Sequence, residues 1–203
     1  SSVRLVAAGP LTEEALAPLA GLPLQGLELE ADPVRISGAF LASFPDLERL
    51  SVRHCPDSAD TDLTAIGRLG RLSALALDSP KLTVAGFKEL RGPGLKALAL
   101  GEGVAVTPDL VRVLQRLPLE EFACDAELTD DAFVELALFP ELKRLRLRKA
   151  PISDTSLRAV AGLGKLEEFR AVGSSVTGPG LEHLAEHKGL KILDLSGGRL
   201  TND

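Results

Sequence analysis

A right-handed α/β solenoid, with parallel strands on a concave face and short helices on a convex one, is the fold this sequence predicts. Three observations predict it. A frame of the form Leu-x-x-Leu-x-Leu, with apolar substitutes at its later positions, opens at Leu24, Leu47, Leu72, Leu95, Leu119, Leu142, Leu166 and Leu190. The steps between frames are 23, 25, 23, 24, 23, 24 and 24 residues, and such a period marks one structural unit stacked on copies of itself. Before each frame, apolar residues return at helical spacing. Strand, helix and parallel strand together require a right-handed crossover. Strands lie closer together than helices, so the stack bends into a horseshoe.

The stretch from Leu128 to Pro151 shows the grammar of one unit. Leu142, Leu145 and Leu147 alternate with Arg144, Arg146 and Arg148, the period-two pattern of a strand with one buried face. Upstream, Phe133, Leu136 and Ala137 recur at helical spacing. Thr129 stands where an N-cap belongs, with Asp130 and Asp131 in the first turn, where carboxylates suit the helix dipole. Pro140 stops the helix and feeds the strand. The other helix entries read Leu11-Thr12, Ile36-Ser37, Leu82-Thr83, Val106-Thr107, Ile152-Ser153, Val176-Thr177 and Leu200-Thr201. The third entry, between Cys55 and Asp62, lacks this pair and is irregular. One unit cannot bury its own leucines, so stability is mostly neighbour-to-neighbour.

The pattern resembles the leucine-rich-repeat family over essentially the whole chain. Leu47-x-x-Leu50-x-Val52-x-x-Cys55 is most similar to the cysteine-containing subtype of ubiquitin-ligase adaptors, and the Leu-Thr-Asp-Asp start to short intracellular and bacterial versions. The resemblance implies a binding module without cofactor. The chain departs from the family at the position three residues after the strand, where many members carry a buried Asn ladder. Here that position holds Asp32, Cys55, Pro80, Gly103, Glu127, Ala150, Ser174 and Gly198, and the only Asn is Asn202. The turn backbone must then find other partners, and less uniform turns are expected.

The unbroken period predicts a single domain over 1–203: a partial repeat over 1–10, about eight repeats over 11–199, and the start of another over 200–203. No polar cap is evident at Leu200 to Asp203, which points to a section of a longer protein. Hydrophobic content is 45% and charged content 26%, which excludes a disordered chain. A formal charge of −6 disfavours nonspecific binding to nucleic acid or anionic membrane. No apolar run approaches the ~18 residues of a membrane span, and no signal-peptide pattern follows Ser1. Ala-, Leu-, Gly- and Arg-rich composition hints at a GC-rich bacterial genome. Cys55 and Cys124 lie three repeats apart, roughly 14 Å at about 4.8 Å per repeat. A disulfide needs Cα atoms within about 7 Å, so two free thiols and a cytoplasmic setting are expected.

In each strand the residues between leucines point to the concave face. The column before the central leucine reads Gly26, Arg49, Ala74, Ala97, Glu121, Arg144, Glu168 and Ile192. The next reads Glu28, Ser51, Ala76, Ala99, Ala123, Arg146, Arg170 and Asp194, and the third Glu30, Arg53, Asp78, Gly101, Asp125, Arg148, Val172 and Ser196. Small residues, Ala76 and Ala99 among them, make a floor. Arg49 and Arg53 border it on one side, and Glu121, Arg144, Arg146 and Arg148 on the other, with Arg170 beyond. Such a surface suits a protein partner. Two alternatives stand beside this. The alternating charges read equally as self-neutralisation: Arg53 between Glu30 and Asp78, Arg144 between Glu121 and Glu168, Arg148 beside Asp125, Arg170 beside Asp194. The alanines read equally as what a curved sheet tolerates. Arg146 stands out, because its column neighbours are Ala123 and another cation, Arg170.

No catalytic apparatus is recognisable. His183 and His187 share a solvent-facing helix face at i, i+4 and are the pair a metal would use, but Glu182 and Glu186 are not in the order of a metallopeptidase motif, and no metal is expected. His54 beside Cys55 suggests a thiol nucleophile only superficially, since Cys55 sits where the family buries a small residue. Gly92-Pro93-Gly94 and Gly197-Gly198 match no phosphate loop. All seven Phe fall on core positions, which leaves no stacking platform for nucleic acid beside the cluster of Lys143, Arg144, Arg146, Arg148, Lys149 and Arg170. The sequence therefore predicts a noncatalytic module that grips another protein, as the recognition arm of a larger regulatory, signalling or ubiquitin-ligase-like protein. The alternative is a spacer whose ends stack.

Overall fold

Short helices in this chain start where a hydroxyl can receive the first orphan amides, and strands start where a proline or glycine ends the helix. The computed structural model describes residues 1–91, 94–149, 152–173 and 175–197. The expected helix entry at Leu200-Thr201, Asn202 and the turn positions Ala150, Ser174 and Gly198 lie outside these, as do Gly92, Pro93, Pro151 and the side chain of Asp130. The chain divides into two compact units, Ser1–Ala105 and Val106–Asp203.

In the first unit five parallel strands pair in chain order: β1 (Ser2–Val6), β3 (Gly26–Glu30), β5 (Arg49–Arg53), β6 (Ala74–Leu77) and β7 (Ala97–Leu100). A smaller parallel pair joins β2 (Leu11–Thr12) to β4 (Val34–Arg35). Helices α1 (Glu13–Leu16), α2 (Gly38–Leu41), α3 (Asp60–Ile66) and α4 (Val84–Phe87) fill the connections. The second unit repeats the scheme with α5 (Pro108–Leu114), α6 (Asp130–Leu136), α7 (Asp154–Ala161) and α8 (Gly178–Glu182). Its strands β8 (Glu121–Cys124), β9 (Arg144–Leu147), β10 (Glu168–Ala171) and β11 (Ile192–Asp194) again pair in parallel and in chain order. The register is the one the frames predict: Leu27 faces Leu50, Leu50 faces Leu75 and Leu75 faces Leu98. In the second unit Phe122 faces Leu145 and Leu145 faces Phe169.

Each coil is locked to the next at its strand entry. The carbonyl of Glu48 accepts the amides of Ser73 and Ala74 at 2.8 and 3.0 Å, and the carbonyl of Glu120 accepts those of Lys143 and Arg144 at the same distances. One carbonyl serving two amides fixes the register directly after the first leucine of each of these frames. The leucines of the frames then form the core: Leu27, Leu50, Leu75, Leu98, Leu145 and Leu147 are all buried. Each contributes roughly 1.5–3 kcal/mol on leaving water. Phe133 meets the ring of Phe169 edge-on at 6.2 Å, so adjacent coils of the second unit share aromatic packing. Phe40 departs from the expectation for the phenylalanines. It is half-buried, resting edge-on against buried Phe44 at 5.3 Å.

The hydroxyl caps form at most entries. Ser37, Thr107, Thr129 and Ser153 accept the amides of Phe40, Leu110, Ala132 and Ser156, and Thr83 accepts that of Ala85. Thr12 and Thr177 make no such bond. The irregular third entry uses Ala59 as N-cap, with the Asp62 carboxylate accepting the Ala59 amide at 3.0 Å.

Carboxylates also tie one coil to the next on the helix side. Asp60 accepts the amide and the hydroxyl of Thr83 at 2.8 and 2.6 Å. Asp154 does the same to Thr177, at 2.9 and 2.6 Å. Glu13 accepts the Ser37 amide. The Thr83 hydroxyl donates to Asp60 and still caps its own helix, whereas among the described residues the Thr177 hydroxyl makes only the bond to Asp154. A glycine follows three residues after each of these threonines, because a methyl at Gly86 or Gly180 would collide with the Asp60 or Asp154 carboxylate.

The turns after the strands are as varied as the missing Asn ladder predicts. Cys55 donates its thiol to the Asp78 carbonyl at 3.0 Å. Ser79 donates its hydroxyl to the Ser58 carbonyl at 2.7 Å, and the Gly103 amide donates to the Asp78 carboxylate at 2.8 Å. His54 carries the reversal after β5, with φ of 54°.

Candidate interaction surface

Alternation along the strands turns every second residue outward. In the first unit this produces two contrasting strips. On β6 and β7, Ala74 faces Ala97 and Ala76 faces Ala99, all four half-buried beside the fully buried leucines. On β5, Arg49, Ser51 and Arg53 face outward next to them, with both arginines exposed.

The carboxylates around these arginines are turned elsewhere. Glu28 and Glu30 on β3 both reach Arg4, at 3.4 and 3.5 Å. Glu48 accepts from the Gln25 amide group at 3.2 Å. Asp78 holds the Gly103 amide. Arg53 stands between Glu30 and Asp78 in its column, yet it makes no ion pair among the described residues. The Arg49 side chain has one hydrogen bond among the described residues, to the Ser2 hydroxyl at 3.4 Å.

The second unit is organised differently. Arg144 pairs with Glu121. Arg146 grips Glu168 with two nitrogens, at 2.9 and 3.1 Å. Arg170 reaches the same carboxylate at 2.6 Å and Asp194 at 3.6 Å. Arg148 lies 3.8 Å from Asp125. Glu168 is the centre of this cluster and is 7% exposed. The hydrogen bond from Arg146, reinforced by Arg170, holds its carboxyl at about 2 against the pull of burial. The bond to Glu168 likewise raises Arg146 above the usual guanidinium range.

Arg146 is therefore not the exception that its column neighbours suggest. Its partner comes from the adjacent column, because a glutamate on a neighbouring strand reaches the diagonal position as easily as the one opposite. Glu168 also accepts from Arg170, two residues along its own strand, while Arg144 pairs with Glu121 instead. Self-neutralisation describes the second unit, whereas in the first unit it leaves Arg53 aside.

The histidine reading is also corrected. Helix α8 ends at Glu182, so His183 and His187 do not share a helix face. The following residues form tight turns, with the amides of Leu184, Ala185 and His187 each bonding three residues back. Both histidines are half-buried rather than solvent-facing, and Ala185 is exposed. The Nε2 of His187 lies 2.8 Å from the Leu163 carbonyl, and its Nδ1 is buried without a partner among the described residues. No group of three or more His, Cys, Asp or Glu there is placed to hold a metal.

Both cysteines are free and buried. Burial raises the Cys55 thiol and pushes that of Cys124 up to about 12, so neither is held as thiolate. On the helix side a groove of about 340 Å³ opens between α2 and α3, lined by Ala39, Ala42, Ala65 and Leu69 with Arg68 beside them. None of the residues singled out from the sequence lines it. No helix among the described residues is long and apolar enough to cross a membrane.

No family model matches the chain, and no curated protein matches it. Solved structures do. Internalin C2 of Listeria monocytogenes is 22% identical, with a TM-score of 0.65 over 98% of this chain and 80% of that one. An internalin of the same organism, inlF, is 18% identical, with a TM-score of 0.59 over 92% of this chain and 59% of that one. A leucine-rich-repeat protein of Leptospira interrogans is 16% identical, with a TM-score of 0.56 over 95% of this chain and 50% of that one. At these identities the likeness is one of fold.

Proposed function

We propose, from the premise that this chain carries the leucine-rich-repeat fold, that it is a noncatalytic recognition module of a larger regulatory or signalling protein. It holds another protein against the outer faces of its strands. One observation carries this reading: the half-buried strip of Ala74, Ala76, Ala97 and Ala99 on β6 and β7, bordered by exposed Arg49 and Arg53. A flat apolar strip with guanidiniums at its border supplies the desolvated core and polar rim that protein interfaces use. In the second unit Glu121, Arg144, Arg146, Arg148 and Arg170 add a hydrogen-bonding surface on the same side of their strands. Two unpaired thiols support a reducing, cytoplasmic setting.

The test is capture of the natural partner from cell extract. Ala76→Glu combined with Ala99→Glu places two carboxylates on the strip and abolishes capture while the far-ultraviolet spectrum is unchanged. Val134→Glu, on the exposed side of α6, leaves capture intact. Full capture by the double variant would sink the reading.

A second reading, an assembly element whose ends stack, is favoured by Ile192 and Leu193 on β11, which are 42% and 41% exposed. Light scattering across concentration separates the two readings; a strict monomer rejects stacking.

A further inference from the structure

We infer that the partner surface received by the first unit is an extended acidic segment, whose carboxylates pair with Arg49 and Arg53. This rests on the strand-face reading above and names the chemistry of the partner. Three observations lead to it. The carboxylates on the strands and turns flanking these two arginines are bonded to other groups: Glu28 and Glu30 to Arg4, Glu48 to Gln25, Asp78 to the Gly103 amide. Arg49 and Arg53 are thus exposed guanidiniums without an ion pair among the described residues, where their side chains have a single 3.4 Å bond between them, from Arg49 to the Ser2 hydroxyl. By contrast Arg144, Arg146, Arg148 and Arg170 of the second unit are all ion-paired within that unit.

Spacing supplies the second link. Arg49 and Arg53 lie four residues apart on one strand, with Ser51 between them, and all three point to one face. At about 3.3 Å per residue their backbones are roughly 13 Å apart. Two glutamates four residues apart in an extended segment have the same separation, so a segment running along β5 engages both arginines at once. Guanidiniums suit this pairing because their donors match a carboxylate two at a time.

The third link is the space beside them. The β3 side of β5 carries Glu28 and Glu30, which repel an acidic segment. The β6 side carries Ala74 and Ala76 beside Arg49 and Ser51, which admit its backbone closely, and beside Arg53 it carries Asp78, whose carboxylate is turned to the Gly103 amide. The segment therefore lies over the alanine strip, with its carboxylates toward β5. The chain as a whole is negative, at −6, so long-range attraction does not draw an acidic polymer in. The pairing acts at contact range and weakens as salt rises.

The experiment is fluorescence anisotropy of the whole chain with three labelled extended peptides, built of Ala and Ser with two Glu, two Gln or two Lys placed four residues apart. The Glu peptide binds, the Gln and Lys peptides do not, and salt weakens the complex. Arg49→Glu and Arg53→Glu each weaken it about tenfold, as reversal of a close charge pair does. Arg49→Gln and Arg53→Gln weaken it less, and Arg146→Glu leaves it unchanged. Equal binding of the Glu and Lys peptides, or equal loss in Arg146→Glu, overturns the inference. A parallel capture from extract separates it from the broader reading. Loss in the Ala76→Glu, Ala99→Glu variant with full capture by Arg49→Glu, Arg53→Glu overturns the acidic pairing and leaves strand-face recognition standing. Full capture by both overturns both.

Discussion

Replacing Glu168 by Gln removes the charge that holds Arg146 and Arg170 together, and the structure fixes both the size and the pH dependence of the loss. The carboxyl sits at about 2 instead of the usual 4.5. A difference of that size corresponds to at most about 3–4 kcal/mol at neutral pH. Arg146 and Arg170 are half exposed, with side chains at 50% and 45%, and solvent screens roughly half of the attraction. About 1–2 kcal/mol of stability therefore depends on the Glu168 charge. Because the folded value is depressed, the contribution is present above the unfolded value near 4.5 and is lost as pH falls toward 2. Urea unfolding of the parent and Glu168→Gln at neutral pH, and again at successively lower pH, measures it. The two curves differ at pH above about 5 and converge through the window between 4.5 and 2. Arg148→Ala, which breaks only the 3.8 Å surface pair, costs less than about 0.5 kcal/mol at any pH. A gap between parent and Glu168→Gln that is absent at neutral pH, or that persists undiminished in acid, refutes the reasoning.

Gly86→Ala forces a methyl against the Asp60 carboxylate and costs about 1–3 kcal/mol in urea unfolding, whereas Gly70→Ala, which meets open space, stays within about 0.5 kcal/mol. The Gly86 penalty shrinks only in part in an Asp60→Ala background, because the Asp60 Cα also lies 2.8 Å from the added methyl; a Gly86→Ala loss no larger than that of Gly70→Ala would disprove the clash. Leu145→Ala, in the centre of the second unit's core, costs about 2–5 kcal/mol by the same assay, and a loss under about 1 kcal/mol contradicts the stacked core. Cys124 resists iodoacetamide at mildly alkaline pH in the folded chain and is alkylated in urea, because its thiol titrates near 12; rapid native labelling counted by mass spectrometry would overturn its placement.

The fold was readable because the leucine frames carry it directly. Their spacing fixes the register, and the structure pairs Leu50 with Leu75 and Leu145 with Phe169 as the frames require. The caps at Ser37, Thr83, Thr107, Thr129 and Ser153 were readable for the same reason, since a hydroxyl beside an apolar residue marks every entry but the third. What the columns do not convey is reach. Reading only across a column makes Arg146 a lone cation, when Glu168 of the neighbouring column reaches it with both oxygens. It also makes Arg53 neutralised, when Glu30 and Asp78 are drawn to Arg4 and to Gly103. Long side chains choose among several partners within a few ångströms, and sequence spacing does not rank them.

The carboxylate ties of the helix side did leave a signal. Asp60 precedes Thr83 by 23 residues, and Asp154 precedes Thr177 by 23, with a glycine three residues after each threonine. That repeated triplet was visible, but it only acquires meaning once adjacent coils are known to stack at the threonine amide. The end of α8 at Glu182 was less visible. Apolar spacing runs on through Leu184, while the hydrogen bonds tighten into turns that bring His187 against the Leu163 carbonyl.

Placement of a photo-reactive side chain at single positions tests the central claim most directly. Ser51, Ala76 and Ala99 sample the strand face of the first unit, and Thr61 and Val134 on helices, with Leu138 in the turn after α6, sample exposed positions on the helix side. The expected result is a crosslinked partner from the strand positions and none from the helix-side positions. Crosslinks that arise from Thr61, Val134 or Leu138 alone contradict the account.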